Sequence, residues 1–385
     1  MIMASKNKLK NKFHSYNTGD LPKGCSYCVK GEKLVLFITG LCPRRCYFCP
    51  VSDEKYQKDV VFANELKVRN FNDIITEAKA MNANGAGITG GDPLVKLNRT
   101  TSYIEKLKKY FGKKFHIHLY ASLNLVVEKT LKKLYLAGLD EIRFHLDLDS
   151  KKLWKKLEIA KKFNWDIGVE LPLIPTKEKE LKEVIDYIYD KVDFLNLNEL
   201  EVADNNHSNL KQFGFCVKDK ISYAIKGSLE LGLRLIDYSN IKGYKIPIHV
   251  CTAKLKDAVQ LSERIKREAK IVKHSFDIMD KEGMLTRGAL YLPELKPGFG
   301  YRKKLSKISK EKYIKKLNQL AIKIKNQLKL NKKNFIVDKN KPRILLSKKN
   351  LIKNKKLFLK MGLIPAIVVE YPTADQFEVE IEFLE

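Results

Sequence analysis

Short apolar runs alternate with amphipathic stretches along the first half of the chain. Six segments read as strands: Leu34–Gly40 (LVLFITG), Gly85–Gly91 (GAGITGG), Phe115–Ser122 (FHIHLYAS), Glu141–Asp147 (EIRFHLD), Asp166–Ile174 (DIGVELPLI) and Phe194–Glu201 (FLNLNELE). Between them, FNDIITEAKAMNAN, TTSYIEKLKKYF, VVEKTLKKLYLAG and KELKEVIDYIYDKV place apolar residues three and four apart, as amphipathic helices do. This alternation predicts right-handed βαβ units and a parallel sheet with helices outside. Six repeats suit a partly closed barrel or an open doubly wound sheet, and the pattern alone does not choose.

After about Leu210 the rhythm changes. Lys218–Gly232 reads as a helix, RLIDY as a short strand, and Ile246–Cys251 (IPIHVC) as another strand before the helical AKLKDAVQLSERIKREAKIV. A further unit starts near Gly283 with MLTRGALYLPEL. It continues through a lysine-rich helix over 306–330 and ends in two strands, IPAIVVEY and QFEVEIEFLE. The expected organisation is an N-terminal segment (1–30), a core of βα repeats (31–210), an accessory region (211–282) and a basic α+β extension (283–385). No solenoid repeat is evident.

Apolar residues make up 44% of the 385, which excludes a disordered chain. No run of about 18 apolar residues suggests a membrane span. The opening MIMASKNKLKNKFHS lacks a signal-peptide core, so a cytoplasmic protein with reduced thiols is expected. The net charge of +29 is unevenly spread: residues 301–360 hold 22 basic residues against two acidic ones, whereas Met361 onwards holds six acids and no Lys or Arg. With Tyr301, Tyr313, Phe335 and Phe358 interleaved, that stretch suits contact with an RNA phosphate backbone. The alternative is a solvated helix face in a lysine-rich composition. No RNP1 or KH-type signature accompanies it.

Chemistry concentrates at the end of the first strand. Cys42, Cys46 and Cys49 stand in GLCPRRCYFCP, and three thiols within eight residues converge only if the loop wraps one centre. A structural zinc usually takes four ligands in two pairs, whereas three thiolates suit a cubane with one iron left open. Strand carboxyl ends are where parallel βα folds carry catalytic groups.

The C-x3-C-x2-C spacing with an aromatic, Phe48, before the last cysteine resembles the signature of the radical S-adenosylmethionine (SAM) superfamily, over roughly residues 31–205. Within it the chain is similar to archaeal proteins described as related to pyruvate formate-lyase activating enzyme. The resemblance implies a partial (β/α)6 TIM-type barrel, a [4Fe–4S] cluster on Cys42, Cys46 and Cys49, and SAM bound at the open iron. It also implies reductive SAM cleavage to a 5′-deoxyadenosyl radical, with an external reductant protein. Thr89-Gly90-Gly91-Asp92-Pro93, after the second strand, resembles the family's Gly-Gly-Glu-type motif for the methionine amino group, with Asp92 in place of Glu. Paired glycines admit close backbone approach and a carboxylate accepts from ammonium.

Period-two alternation puts His116, His118, Tyr120 and Ser122 on one strand face, and Arg143, His145 and Asp147 on another. Polar residues there suggest a cavity lining rather than the usual apolar parallel strand. In the superfamily this chain resembles, the ends of strands four and five often hold the SAM ribose and carboxylate, so the resemblance nominates Ser122, His145, Asp147, Glu170 and Asn198 to face SAM or substrate. Cys25 and Cys28 (C-x2-C) with His249 and Cys251 (H-x-C) form a candidate second site, for zinc or an auxiliary iron–sulfur cluster. The alternatives there are a core thiol or a redox-active pair. Cys216, in FGFCV, reads as a buried hydrophobe.

Three functions follow. The leading one is a radical SAM enzyme modifying RNA, tRNA in particular, through residues 301–360. The alternatives are a radical SAM enzyme acting on a protein or small molecule in cofactor biosynthesis, and a non-catalytic metal-dependent nucleic-acid binder.

Overall fold

The computed structural model describes residues 9–329, 331 and 333–384. The first eight residues of the opening segment lie outside them. The chain divides into two compact units, 1–264 and 265–385.

The first unit is built on seven parallel strands: β1 (Lys33–Phe37), β2 (Gly85–Thr89), β3 (His116–Ser122), β4 (Glu141–His145), β5 (Asp166–Leu173), β6 (Phe194–Glu199) and β7 (Ile248–Cys251). Neighbours in the sheet are neighbours in the chain, from β1 through β7. A doubly wound sheet would reverse at a switch point. The unbroken order resolves the sequence's open choice in favour of the partial barrel, which does not pair β7 back onto β1. The two-residue strand Tyr16–Asn17 covers the β7 edge, and the hairpin Phe62–Ala63/Leu66–Lys67 covers β1.

The helices form where the sequence repeats apolar residues at helical spacing. They are α2 (Phe71–Ala80), α3 (Leu97–Phe111), α4 (Glu128–Ala137) and α5 (Glu178–Ile188), and α5 buries Leu181, Val184, Ile185 and Ile188. Asn70 opens α2 with a capping box in which Asp73 reaches back to the cap amide. The β4–β5 crossover is a 3-10 helix, Trp154–Lys162. Two expectations are corrected here. RLIDY is not a strand but the middle of α6 (Ser228–Ile241), which buries Leu231, Leu235 and Ile236 at helical spacing. Lys218–Gly227 is irregular, ending at Gly227 with φ 85°. The strand read into the accessory region, β7, pairs in parallel with β6, Cys251 beside Asn198.

A short helix, α1 (Lys23–Cys28), lies against the inner face of the sheet. Its Gly24 amide donates to Glu141 Oε2 at 2.9 Å. A Cβ at Gly24 would stand 2.5 Å from an Arg143 nitrogen and 2.7 Å from His118 Nδ1, so only glycine passes there.

The second unit pairs antiparallel strands around β8 (Leu285–Tyr291), flanked by β10 (Arg343–Leu346) and β11 (Ile364–Glu370), with β9 (Phe335–Asp338) and β12 (Glu378–Phe383) outside. Across it packs the lysine-rich helix Lys310–Leu328, burying Leu317, Ala321 and Ile324. The aromatic residues of the basic stretch are not displayed for stacking on bases. Tyr301 and Phe358 are buried core residues, and Tyr313 and Phe335 pack against that core. Among the described residues, no helix is long and apolar enough to cross a membrane.

Candidate active site

The cysteine loop leaves the end of β1 and is tied at once to the end of β2. The Ile38 amide donates to the Thr89 carbonyl at 2.9 Å, Gly91 to Thr39 at 2.7 Å and Asp92 to Leu41 at 2.9 Å. Two backbones run so close that a Cβ on Gly90 would lie 2.6 Å from the Thr39 oxygen, and one on Gly91 2.5 Å from that of Leu41. The paired glycines thus have a reason besides ligand approach: they let the cysteine loop share the β2 turn.

Cys42, Cys46 and Cys49 are half-buried. The Arg44 amide donates to Cys42 Sγ at 3.4 Å and Gln57 Nε2 to the Cys42 carbonyl at 3.3 Å. From the far side Asn205 Nδ2 donates to the carbonyls of Cys49 and Val51, both at 3.0 Å. Arg44 carries its guanidinium to the end of β4, 3.4 Å from the His145 carbonyl and 3.5 Å from Asp147 Oδ1. The Phe48 ring stands 6.0 Å from that of His145. Burial pushes all three thiols up, Cys42 to about 11, opposed at Cys42 by the Arg44 amide and at Cys46 by the Arg44 charge. Bonding to a metal offsets such a cost, because it takes the thiolate.

The donor set itself tests the fit. Three thiolates on one loop leave a tetrahedral zinc one ligand short, whereas a cubane takes three and keeps one iron open.

Asp92 is buried and its carboxylate is occupied. Oδ1 accepts from the Leu94 amide at 2.9 Å, and Oδ2 from the Ser122 hydroxyl at 2.6 Å and amide at 3.2 Å. Pro93 follows it as the first residue of a 3-10 turn. Asp92 and Ser122, nominated separately, form one lock between the ends of β2 and β3. Glu170 is likewise engaged, accepting from Arg143 at 2.7 Å and from Asn198 at 2.8 Å. His145 is held neutral, its ring pushed down to about 3 by burial and then by Arg44. Asp147 is the most open of the nominated carboxylates, with its side chain 40% exposed. Sequence reasoning passed over Arg44, although its place between cysteines was visible, and Asn205, which no local signal marks.

Deeper in the sheet, buried polar and charged side chains pair in two neighbouring groups. Arg143 donates to Glu141 at 2.6 Å as well as to Glu170, and Lys33 Nζ lies 2.6 Å from His116 Nδ1. Burial brings Lys33 down to about 7. Of the candidate second site, Cys25 and Cys251 are buried and Cys28 half-buried, and burial raises each thiol. His249 is engaged elsewhere. Its Nδ1 is held by Asn196 at 2.6 Å and its Nε2 by Ser15 at 3.0 Å. Cys216 is exposed rather than buried, in the irregular loop before α6.

Comparison with known proteins matches residues 36–188 to the family described as the radical SAM superfamily. A Methanocaldococcus jannaschii protein named as a glycyl-radical enzyme activating enzyme is 42% identical over 288 residues, 72% of this chain and 76% of that protein. Among solved structures, the radical SAM methyltransferase TsrM of Kitasatospora setae aligns at 11% identity and TM-score 0.36 over 50% of this chain. The chain spans 41% of that enzyme's length. Coproporphyrinogen III oxidase of Escherichia coli aligns at 10% identity and TM-score 0.36, covering 93% of this chain and 97% of the oxidase. Identity of 42% over so much of both chains, joined to the family match over residues 36–188 and the thiol triplet at the end of β1, leads to one assignment: this chain belongs to the radical SAM superfamily, whose members work with a [4Fe–4S] cluster and SAM.

Proposed function

We propose that this radical SAM enzyme acts on a partner protein, abstracting a hydrogen atom from a glycine Cα to leave a glycyl radical. The observation that carries the reading is the 42% identity with a protein named as a glycyl-radical enzyme activating enzyme. The surface beside the cysteine loop supports it. The 203–226 loop is bonded to that loop through Asn205 and through the Asn209 amide to the Tyr47 carbonyl. It holds out Phe213, Ile221 and Tyr223, 61%, 95% and 65% exposed. An exposed apolar rim suits a macromolecular substrate. The basic segment offers lysines without stacking aromatics, which leaves charge alone to argue for RNA.

Cys42, Cys46 and Cys49 would hold the cluster. When bound, it supplies the single electron that splits SAM into methionine and a 5′-deoxyadenosyl radical. Arg44 fixes the loop to β4, the Asp92–Ser122 lock fixes the ends of β2 and β3, and Glu170 and Asn198 present a preset carboxylate–amide pair between β5 and β6. Neutral His145 gives the mouth a polar group without charge. The hydrogen taken from glycine ends on C5′ of 5′-deoxyadenosine, so one SAM is consumed for each radical made.

The test is anaerobic incubation of the reduced enzyme and SAM with a glycyl-radical enzyme polypeptide from the same source, grown on Cα-deuterated glycine. Deuterium in the 5′-deoxyadenosine is the expected result. SAM cleavage that carries no deuterium from protein, or that RNA stimulates instead, would sink the reading.

A further inference from the structure

At the opposite ends of the strands, three side chains unused by the proposed chemistry converge. His116, Glu141 and Asp166 are the first residues of β3, β4 and β5, and one ligand atom of each lies within 4.8 Å of the other two. The His116 and Glu141 side chains are 1% and 0% exposed, while Asp166 sits at the exposed rim and gives a path from solvent. His116 Nε2 has no hydrogen-bond partner. It faces Glu141 Oε2 at 3.6 Å, beyond hydrogen-bond range.

Neighbouring acids at the strand starts have backbone work. Asp140 accepts from the Ile117 amide at 2.7 Å and Asp193 from the Ile167 amide at 2.7 Å. Glu141 turns Oε1 to Arg143, and Oε2, which accepts the Gly24 amide, keeps a lone pair on the His116 side. Burial and the Glu141 charge both push the Asp166 carboxyl up, a repulsion that a shared cation would relieve.

We propose that His116, Glu141 and Asp166 bind a divalent first-row cation that clamps the starts of three adjacent strands, at the end of the barrel away from the cysteines. One imidazole and two carboxylates suit zinc or manganese. Metal-bound imidazoles give their other N–H to an acceptor. An ammonium at Lys33 would instead donate to Nδ1 and leave the ring proton on Nε2, so cation binding requires Lys33 as the neutral amine, accepting from Nδ1 at 2.6 Å while it donates to the His116 carbonyl at 2.6 Å. The site does not depend on the activase reading.

Manganese is the probe, because thiolates compete poorly for it. Cluster-loaded protein is titrated anaerobically with Mn2+, and free Mn2+ is followed by electron paramagnetic resonance, with Zn2+ added as competitor. The expected result is one Mn2+ per chain, displaced by one equivalent of Zn2+ and bound at least tenfold more weakly by His116→Gln and Asp166→Asn. Asp166→Asn lies at the rim and decides alone if His116→Gln does not fold. Unchanged affinity in Asp166→Asn, or no stoichiometric binding by the wild type, overturns the proposal.

Discussion

The Ser122 hydroxyl gives its hydrogen bond to the Asp92 carboxylate at 2.6 Å, joining the turn after β2 to the end of β3. The motif position where the family's pattern has glutamate is thus used to hold two strand ends together. Asp92→Ala leaves the buried Ser122 hydroxyl and the Leu94 amide without an acceptor. Its expected cost is about 1–3 kcal/mol of stability, together with a raised KM for SAM, read by denaturant unfolding and by 5′-deoxyadenosine production. Unchanged stability would show that the lock is idle.

Cys46→Ala should remove the brown colour and SAM cleavage while circular dichroism stays native. The loop is held by Gln57, Asn205 and Asn209 as well as by any cluster. Retained turnover would refute the cluster assignment.

Gly91→Ala places a methyl group 2.5 Å from the Leu41 carbonyl, where backbone rather than a movable side chain must yield. Overpacking of this kind costs about 1–3 kcal/mol, and here it displaces the base of the cysteine loop. SAM cleavage should fall at least tenfold with less iron retained. A variant as active as the parent would contradict the packing argument.

Burial holds His249 down to about 3, against 6.5 for a free ring. Between those values the unfolded chain binds a proton that the folded chain refuses, so stability rises with pH across the window and is lost as pH falls from 6.5 toward 3. Unfolding free energies measured from pH 7.5 to 4.5 should decline, and less steeply in His249→Gln. Equal slopes would place the acid sensitivity elsewhere.

Lys312, Lys315 and Lys323 lie exposed on the helix that packs across the C-terminal sheet. Changing all three to Gln should leave stability within about 0.5 kcal/mol per site and SAM cleavage unaltered. A marked fall in turnover would restore a functional role to the basic surface.

The chemistry was legible where it is local. The thiol triplet, the paired glycines and the strand–helix rhythm each sit within a short window, and β1 to β6 appear where the pattern put them. What escaped depends on distant partners. β7 was set apart because the irregular residues before α6 interrupt the rhythm, yet its pairing with β6 makes it part of the sheet. His249 looked like a ligand beside Cys251 until Asn196 and Ser15 took both its nitrogens across 53 and 234 residues of sequence. The aromatics of the basic stretch looked available for stacking, because charge patterning does not report which face of a helix or strand turns inward.

Helix α1 carries one more implication, for assembly. Its Gly24 amide meets Glu141 across 117 residues, and Ser15 just ahead of it meets His249 across 234. Such long loops must close before either contact gives anything back, which slows folding. On the ribosome, this stretch emerges long before its partners exist and must wait while most of the barrel is made. Though made ahead of the strands it touches, it is among the last elements to find its place.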